Sequence, residues 1–339
     1  MIAHNRPTLG SEEEAAALRV IRSGYLAQGK EVKSFENEFC RFIGLPESHA
    51  VALSSGSAAL YLSMWVLGAQ EKKVSFPAYV CSALEHAVRL VGGREDLIDV
   101  SNNSPNIDLL QLEKNKPDIS IIPHMFGLPL DLTNVNVENV IEDCSQALGA
   151  KVRGKYVGLQ GTLGIFSFYA TKLITTGGQG GIIISKTKDL LEPIRKILDY
   201  DTKKDNFPKF NFQMTDLQAA IGREQLKKIQ SFISKREEIF NRYKEAGIEL
   251  LDLPISDKQN LKAVRYRALM KSHKPLKLIQ DLSLKGIKAV VPMEGWFDKE
   301  KFPNSFKLTT RYVSLPIYPS LLDEDVNLII SAIKDSMRR

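Results

Sequence analysis

At 339 residues, with 43% hydrophobic and 25% charged side chains, the chain has the composition of a globular protein that can bury a large core, and its length suits a large α/β domain with a smaller companion. The formal charge of +6 is spread over interleaved acids and bases, as from Lys227 to Lys244, with no basic-aromatic run, which excludes a dedicated nucleic-acid module and leaves room for a small anionic ligand. Cys40, Cys81 and Cys144 are odd in number and lack CxxC spacing, which excludes a disulfide framework and a zinc site and fits a reducing cytoplasm; no apolar run reaches the ~20 residues of a membrane span.

In chain order, Ser11 with Glu14 three positions on predicts a capped helix that stops at Gly24, followed by a glycine-punctuated loop to Gly29. Short apolar runs at 50–53, 74–76, 97–100, 119–122, 140–142, 164–169 and 181–185 alternate with helical patterns. Such alternation predicts seven strands in one mainly parallel sheet with helices on both faces. Thr215 and Gln218 form a capping box that opens a helix with Leu217, Ile221, Leu226 and Ile229 on its apolar face. A boundary near Ser231 divides the chain into a large domain, 1–230, and a small C-terminal α/β domain, 231–339. Within the latter, 264–270, 276–284, 287–291, 312–315 and 325–333 read strand, helix, strand, strand, helix.

Three segments carry chemistry. Ser54-Ser55-Gly56-Ser57-Ala58-Ala59-Leu60 follows a strand and opens a helix, so free backbone N–H groups suit an anion such as a phosphate; a tight turn would use the same residues. The strand Val140–Glu142 runs into Asp143, where a carboxylate can keep a pyridine nitrogen protonated, or cap a helix. The strand through Phe166-Ser167-Phe168-Tyr169 runs into Lys172 ahead of the glycine loop Thr175–Gly181. A lysine so placed points into a cleft, where it can attack an aldehyde, or else lies solvated.

Together with Ser23-Gly24, Gln28-Gly29, Phe35-Glu36, Phe76-Pro77-Ala78-Tyr79, His124-Met125-Phe126-Gly127, Gln146, Asn211 with Met214-Thr215-Asp216, and Leu315-Pro316-Ile317-Tyr318-Pro319, these segments resemble, over nearly the whole length, the DegT/DnrJ/EryC1/StrS family of fold-type-I aminotransferases. The resemblance implies a PLP-dependent transferase fold, pyridoxal 5′-phosphate (PLP, cycling with its amino form PMP) as cofactor, and amino transfer from a donor such as glutamate to a keto sugar, commonly nucleotide-linked. Lys172 would bond the cofactor and shuttle the proton. Asp143 would pair with the pyridine nitrogen and Gln146 with the ring hydroxyl, while Gly56, Ser57, the backbone of Ala58 and Ser167 would hold the phosphate. Asn211 would reach the neighbouring subunit's phosphate, so a homodimer with shared sites is implied; Tyr25, His124 and Tyr318 are candidate substrate contacts.

Several positions depart from the family pattern. Cys81 stands where an aromatic ring often stacks on the cofactor, so that either stacking falls to Tyr79 or Cys81 takes the aromatic's place and stacking is weaker. Gln213 replaces a common basic residue, Gln179 a common glutamate, and 290–296 lacks a histidine-containing stretch. His4, His49, His86 and His273 show no metal-like grouping, and no metal is assigned. Related enzymes that dehydrate sugars carry histidine in place of the lysine, so Lys172 argues for transamination. Amination of a cyclitol, or a non-catalytic regulator that keeps the fold, are the alternatives.

Overall fold

A computed structural model describes residues 1–199 and 209–337. Helices α1 (Ser11–Ser23) and α2 (Lys30–Ile43) precede β1 (Ala50–Leu53), α3 (Gly56–Val66), β2 (Lys73–Pro77), α4 (Ala83–Leu90), β3 (Arg94–Ile98), α5 (Leu109–Asn115), β4 (Ile119–Pro123) and β5 (Val140–Asp143). Then come β6 (Lys151–Val152), β7 (Lys155–Tyr156), β8 (Leu163–Ser167), β9 (Gly181–Ile184), α6 (Glu192–Leu198) and α7 (Asp216–Glu245). The chain ends with β10 (Leu261–Lys262), β11 (Ala268–Lys271), α8 (Pro275–Leu284), α9 (Pro303–Thr309), β12 (Tyr312–Leu315) and α10 (Asp323–Met337).

Seven strands form one sheet in the order β1-β9-β8-β5-β4-β2-β3; six follow the apolar runs, whereas β3 lies at Arg94–Ile98 and shares only Leu97 and Ile98 with the run expected at 97–100. β9 alone runs against its neighbours, pairing antiparallel with both β1 and β8. The other junctions run β5 to β8, β4 to β5, β2 to β4 and β2 to β3, all parallel. Strands such as Ala50–Leu53 and Gly181–Ile184 are buried at every position because helices cover both faces, which is why they read as continuous apolar runs rather than alternating ones. The mainly parallel sheet sends six strands the same way, and the loops after β1, β2, β4, β5 and β8 meet at one edge.

α7 is continuous for 30 residues, about 45 Å at 1.5 Å per residue. Its N-terminus carries the expected box, with Gln218 N–H donating to Thr215 Oγ1 (3.2 Å) and Thr215 N–H to Gln218 Oε1 (3.0 Å). Ala219, Leu226, Ile229 and Phe232 pack into the core around the sheet, whereas Ile239, Phe240 and Tyr243 join a second core with β11, β12, α8 and α10. A division at 230/231 therefore falls inside a helix. Ile2 packs in the second core, and Phe297 and Leu308 in the first.

Two further readings are corrected and two elements are added. α1 is preceded by Gly10, whose N–H donates to Glu13 Oε2 (2.8 Å), so the Ser11–Glu14 box does not form; Glu13 is buried and also accepts from Gln225 Nε2 (2.8 Å). Residues 287–291 make only single-residue bridges, Ile287 to Ile2 and Val290 to Ser314. Pro292 lacks the N–H that an extending strand would need. α9 and the small sheet β10-β6-β7 carry too few residues to show a period, and neither was expected.

Candidate active site

Where β1 ends, Ser55 caps α3: its Oγ accepts from Ala58 N–H (3.1 Å). The first N–H groups of a helix have no acceptor within it, so those of Gly56 and Ser57 are left for a ligand. The turn lies tight against β8. A Cβ on Gly56 would stand 2.7 Å from Ser167 Cβ, and one on Gly181 would stand 2.3 Å from Ser55 O, so both positions require glycine.

Gly56 and Ser57 line a cavity of about 290 Å³ with Val80, Cys81, His124, Asp143, Gln146, Ser167, Tyr169, Lys172 and Gln179. That volume lies at the small end of the ~300–1,000 Å³ typical of small-molecule sites. Each lining segment continues from the carboxyl end of a strand of the large sheet, where α/β folds place their ligands.

Asp143 is buried at the end of β5, and its Oδ1 accepts from Ser145 N–H (2.9 Å). It opens a turn and caps no helix, and Oδ2 has no hydrogen-bond donor among the described residues. Gln146 Oε1 accepts from Phe126 N–H (2.8 Å), which identifies that atom as the oxygen and leaves the amide NH₂ as a donor. Phe126 is held at φ 56°, followed by Gly127 at φ 84°, where a Cβ would overlap Val264 O. Ser167 Oγ accepts weakly from Tyr169 N–H (3.4 Å).

Lys172 is partly buried on the cavity wall. Its ammonium makes no ion pair or hydrogen bond among the described residues and lies 5.4 Å from the centroid of the Tyr266 ring. This set, an amine, a carboxylate with one free oxygen, an amide donor and an open helix N-terminus, matches the aldehyde, pyridine nitrogen, ring hydroxyl and phosphate of PLP.

Other predicted contacts fall elsewhere. Ala58 is buried, and its N–H is taken by Ser55 Oγ, so it does not supply the phosphate donor expected of it. Tyr79 is fully buried behind the cavity, edge-on to Phe126 at 6.0 Å, and burial raises its hydroxyl pKa; its ring faces core, not ligand. Cys81, by contrast, lines the cavity. Tyr318 belongs to the second core and does not reach the cavity. Tyr25 (79% exposed) and Asn211, whose Oδ1 accepts from Gln213 N–H (3.2 Å), both face outward from the subunit.

His124 is a structural residue whose ring nitrogens are both engaged. Leu130 N–H donates to Nδ1 (3.0 Å), so the proton sits on Nε2 and is given to Glu142 Oε2 (3.0 Å). Glu142, fully buried, also accepts from the N–H groups of Gly158 (2.8 Å), Gln160 (2.5 Å) and Gly161 (2.7 Å). Burial alone would raise its pKa, but His124 and these amides hold it below the usual range. Cys144 lies near both, yet the donor atoms of His124 and Glu142 are already bonded to protein. Sequence reasoning placed Ser55 in the strand-to-helix turn without naming it as the cap, and missed Tyr266, which has no local signature.

A profile of the DegT/DnrJ/EryC1/StrS aminotransferase family matches residues 7–334. A UDP-4-amino-4,6-dideoxy-N-acetyl-beta-L-altrosamine transaminase from Campylobacter jejuni is 32% identical, over 72% of this chain and 69% of its own. The aminotransferase TlmJ from Streptoalloteichus hindustanus superposes with a TM-score of 0.91 at 24% identity, covering 100% of this chain and 99% of its own. The Streptococcus pneumoniae protein Spr1654 in its PLP form superposes with a TM-score of 0.89 at 22% identity, covering 99% and 98%. With a match that leaves out only the chain's ends and a lysine, carboxylate and helix N-terminus converging on one cavity, this chain belongs to the DegT/DnrJ/EryC1/StrS aminotransferase family and is an aminotransferase.

Proposed function

We propose that this chain moves an amino group from glutamate to a nucleotide-linked keto sugar, in the making of amino sugars for a surface polysaccharide. Pyridoxal 5′-phosphate is the cofactor; when bound, its protonated ring supplies the electron sink for a substrate carbon that loses a proton. The observation that carries the reading is the convergence of Lys172, Asp143, Gln146, Ser167 and the α3 N-terminus on one cavity.

Lys172 provides the amine that bonds the cofactor aldehyde. With the amino donor bound, its free amine would accept the proton lost by the substrate carbon and return it in the second half of a ping-pong cycle. The Asp143 carboxylate, through the oxygen that no protein group occupies, keeps the pyridine nitrogen protonated. The Gln146 amide donates to the ring hydroxyl, and the N–H groups of Gly56 and Ser57 with the Ser167 hydroxyl hold the phosphate.

In our reading the cavity is completed in a homodimer, with Asn211 and Tyr25 reaching the partner's site. Their outward positions support this. We further assign 1–230 and 231–339 to two domains that share α7, in a cytoplasmic protein. Three free cysteines and the lack, among the described residues, of any helix long and apolar enough to cross a membrane are compatible with that location.

The nucleotide-linked acceptor rests on the family and on the UDP-linked sugar in the Campylobacter relative's name. It is tested by running the reaction backwards: amino sugars with and without a nucleoside diphosphate are offered to the PLP-loaded protein, and loss of the visible PLP band is followed. The nucleotide-linked compounds should react faster. Equal rates with free amino sugars or amino cyclitols would overturn the acceptor assignment while leaving the aminotransferase intact.

A further inference from the structure

Lys172 poses an electrostatic problem that the cavity does not solve. Its ammonium is partly buried and lacks a carboxylate or hydrogen-bond partner among the described residues. What faces it is the Tyr266 ring, with Nζ 5.4 Å from the centroid, inside the ~6 Å range over which a ring's negative face attracts a cation. Tyr266 itself is held in place. It is 4% exposed, and its carbonyl accepts from Arg236 Nη1 (3.3 Å). Asn5 Nδ2 donates to the carbonyl of Thr171, the residue before Lys172 (2.8 Å). Burial in the core holds the ring, and the Asn5 contact holds the loop that carries the lysine.

We propose that the face of Tyr266 is the resting place of the Lys172 amine whenever it is not bonded to the cofactor, which makes Tyr266 a positioning residue for the proton carrier. The inference rests on Lys172 being the cofactor-bonding lysine. A transaminating lysine must leave the cofactor once per half-reaction and stay near the carbon it serves. A flexible four-carbon stem with no partner would otherwise wander among rotamers, and each would have to be abandoned before proton transfer. Arg267, whose Cζ lies 4.9 Å from the same ring centroid, is tethered by a 2.8 Å hydrogen bond to His4 Nδ1. Burial would raise the Tyr266 pKa, but Lys172, Arg267 and Arg236 outweigh it and lower it, as expected of a ring ringed by cations.

The test begins with cofactor-free protein whose lysines carry ¹³C-methyl groups from reductive methylation. The Lys172 methyl resonance, identified by its loss in Lys172→Arg, should be displaced upfield by the ring current. It should stay displaced in Tyr266→Phe and return to the position of exposed lysines in Tyr266→Leu. In unmethylated, PLP-loaded protein, the conversion of cofactor to PMP by glutamate should slow roughly 2- to 30-fold in Tyr266→Leu and little in Tyr266→Phe.

An unshifted Lys172 resonance in the native protein would overturn the proposal without any variant, so misfolding of Tyr266→Leu would not shield it. Loss of the displacement in Tyr266→Phe would overturn it too, because the hydroxyl and not the ring would then be the partner. Borohydride fixation followed by peptide mass mapping separates this outcome from an error about Lys172. Cofactor fixed to another lysine would refute the site assignment, whereas cofactor fixed to Lys172 with no ring-current shift would refute only the role of Tyr266.

Discussion

Replacing Gly56 with alanine adds one methyl group at the tightest point of the cofactor cradle. The new Cβ would stand 2.7 Å from Ser167 Cβ, 2.9 Å from its Oγ and 3.4 Å from its Cα. The first two contacts are shorter than carbon and oxygen tolerate, and both atoms hang from β8, which is paired on both sides and cannot move alone. Either α3 lifts off β8 or Ser167 is pushed aside, and overpacking of this kind costs about 1–3 kcal/mol. For a chain of 339 residues that corresponds to a fall of about 1–4 °C in melting temperature. Cofactor affinity should fall as well, because the displaced atoms are the proposed phosphate ligands. Since the colliding atoms belong to the Ser167 side chain, Ser167→Gly should be less harmful on top of Gly56→Ala than in the native background, giving a coupling of about 1 kcal/mol or more in a double-mutant cycle read by thermal melting. Additive losses in the cycle, or a Gly56→Ala protein with native melting and PLP affinity, would refute the close-approach argument.

Lys172→Arg should abolish transamination and the borohydride-sensitive visible band while leaving the melting temperature of the cofactor-free protein within a few degrees, because guanidinium stays protonated and forms no imine. Turnover near the native rate would remove Lys172 from its role. Asp143→Asn should keep the Ser145 hydrogen bond yet lose at least tenfold in kcat, more than Gln146→Ala, since a neutral amide cannot stabilise a protonated pyridine nitrogen; equal, mild losses in both would mean that Asp143 serves only its turn. His4 is half-buried between Arg267 and Ser314, and this burial, then Arg267 and Lys288, depress its pKa to about 3 from 6.5. The unfolded chain thus binds the extra proton first, so stability is complete above pH ~6.5 and declines as pH falls through the window from 6.5 towards 3, by about 1 kcal/mol between pH 7 and 5.5 after allowance for partial exposure. His4→Asn should flatten that decline in denaturant titrations at the two pH values, and an unchanged slope would show that His4 is not its source.

The large sheet was legible because its inner strands are short apolar runs bounded by turn residues, and burial on both faces erases any competing alternation; the edge strand β3, with Arg94, Glu95 and Asp96 exposed or half-buried, was legible only at its apolar end. The cofactor cradle was legible for a related reason. Ser55-Gly56-Ser57, Asp143 and Lys172 each sit at a strand end, and in a mainly parallel sheet the carboxyl ends converge, so residues far apart in the chain can be assigned to one place from their local position alone. The α7 capping box was equally local and formed as read.

Side-chain direction and long-range packing were not legible. Tyr79 follows the same strand that delivers Cys81 to the cavity, yet its ring turns into the core, and no pattern within a few residues distinguishes the two. Tyr318 has the motif of a site residue and the packing of a core residue. Ile2 and Ile287 meet from opposite ends of the chain, and α7 passes through the expected domain boundary because its two halves bury against different cores without any break in helical pattern. The pairing of Lys172 with Tyr266 is of the same kind: it depends on a residue from the segment between β10 and β11 brought against the loop after β8. Sequence alone determined the elements, the family and the chemically active residues, since these follow from local periodicity and motif. Only the tertiary structure decided which side chains face the cofactor and what compensates the charge of the lysine, since such contacts join segments that share no local signal.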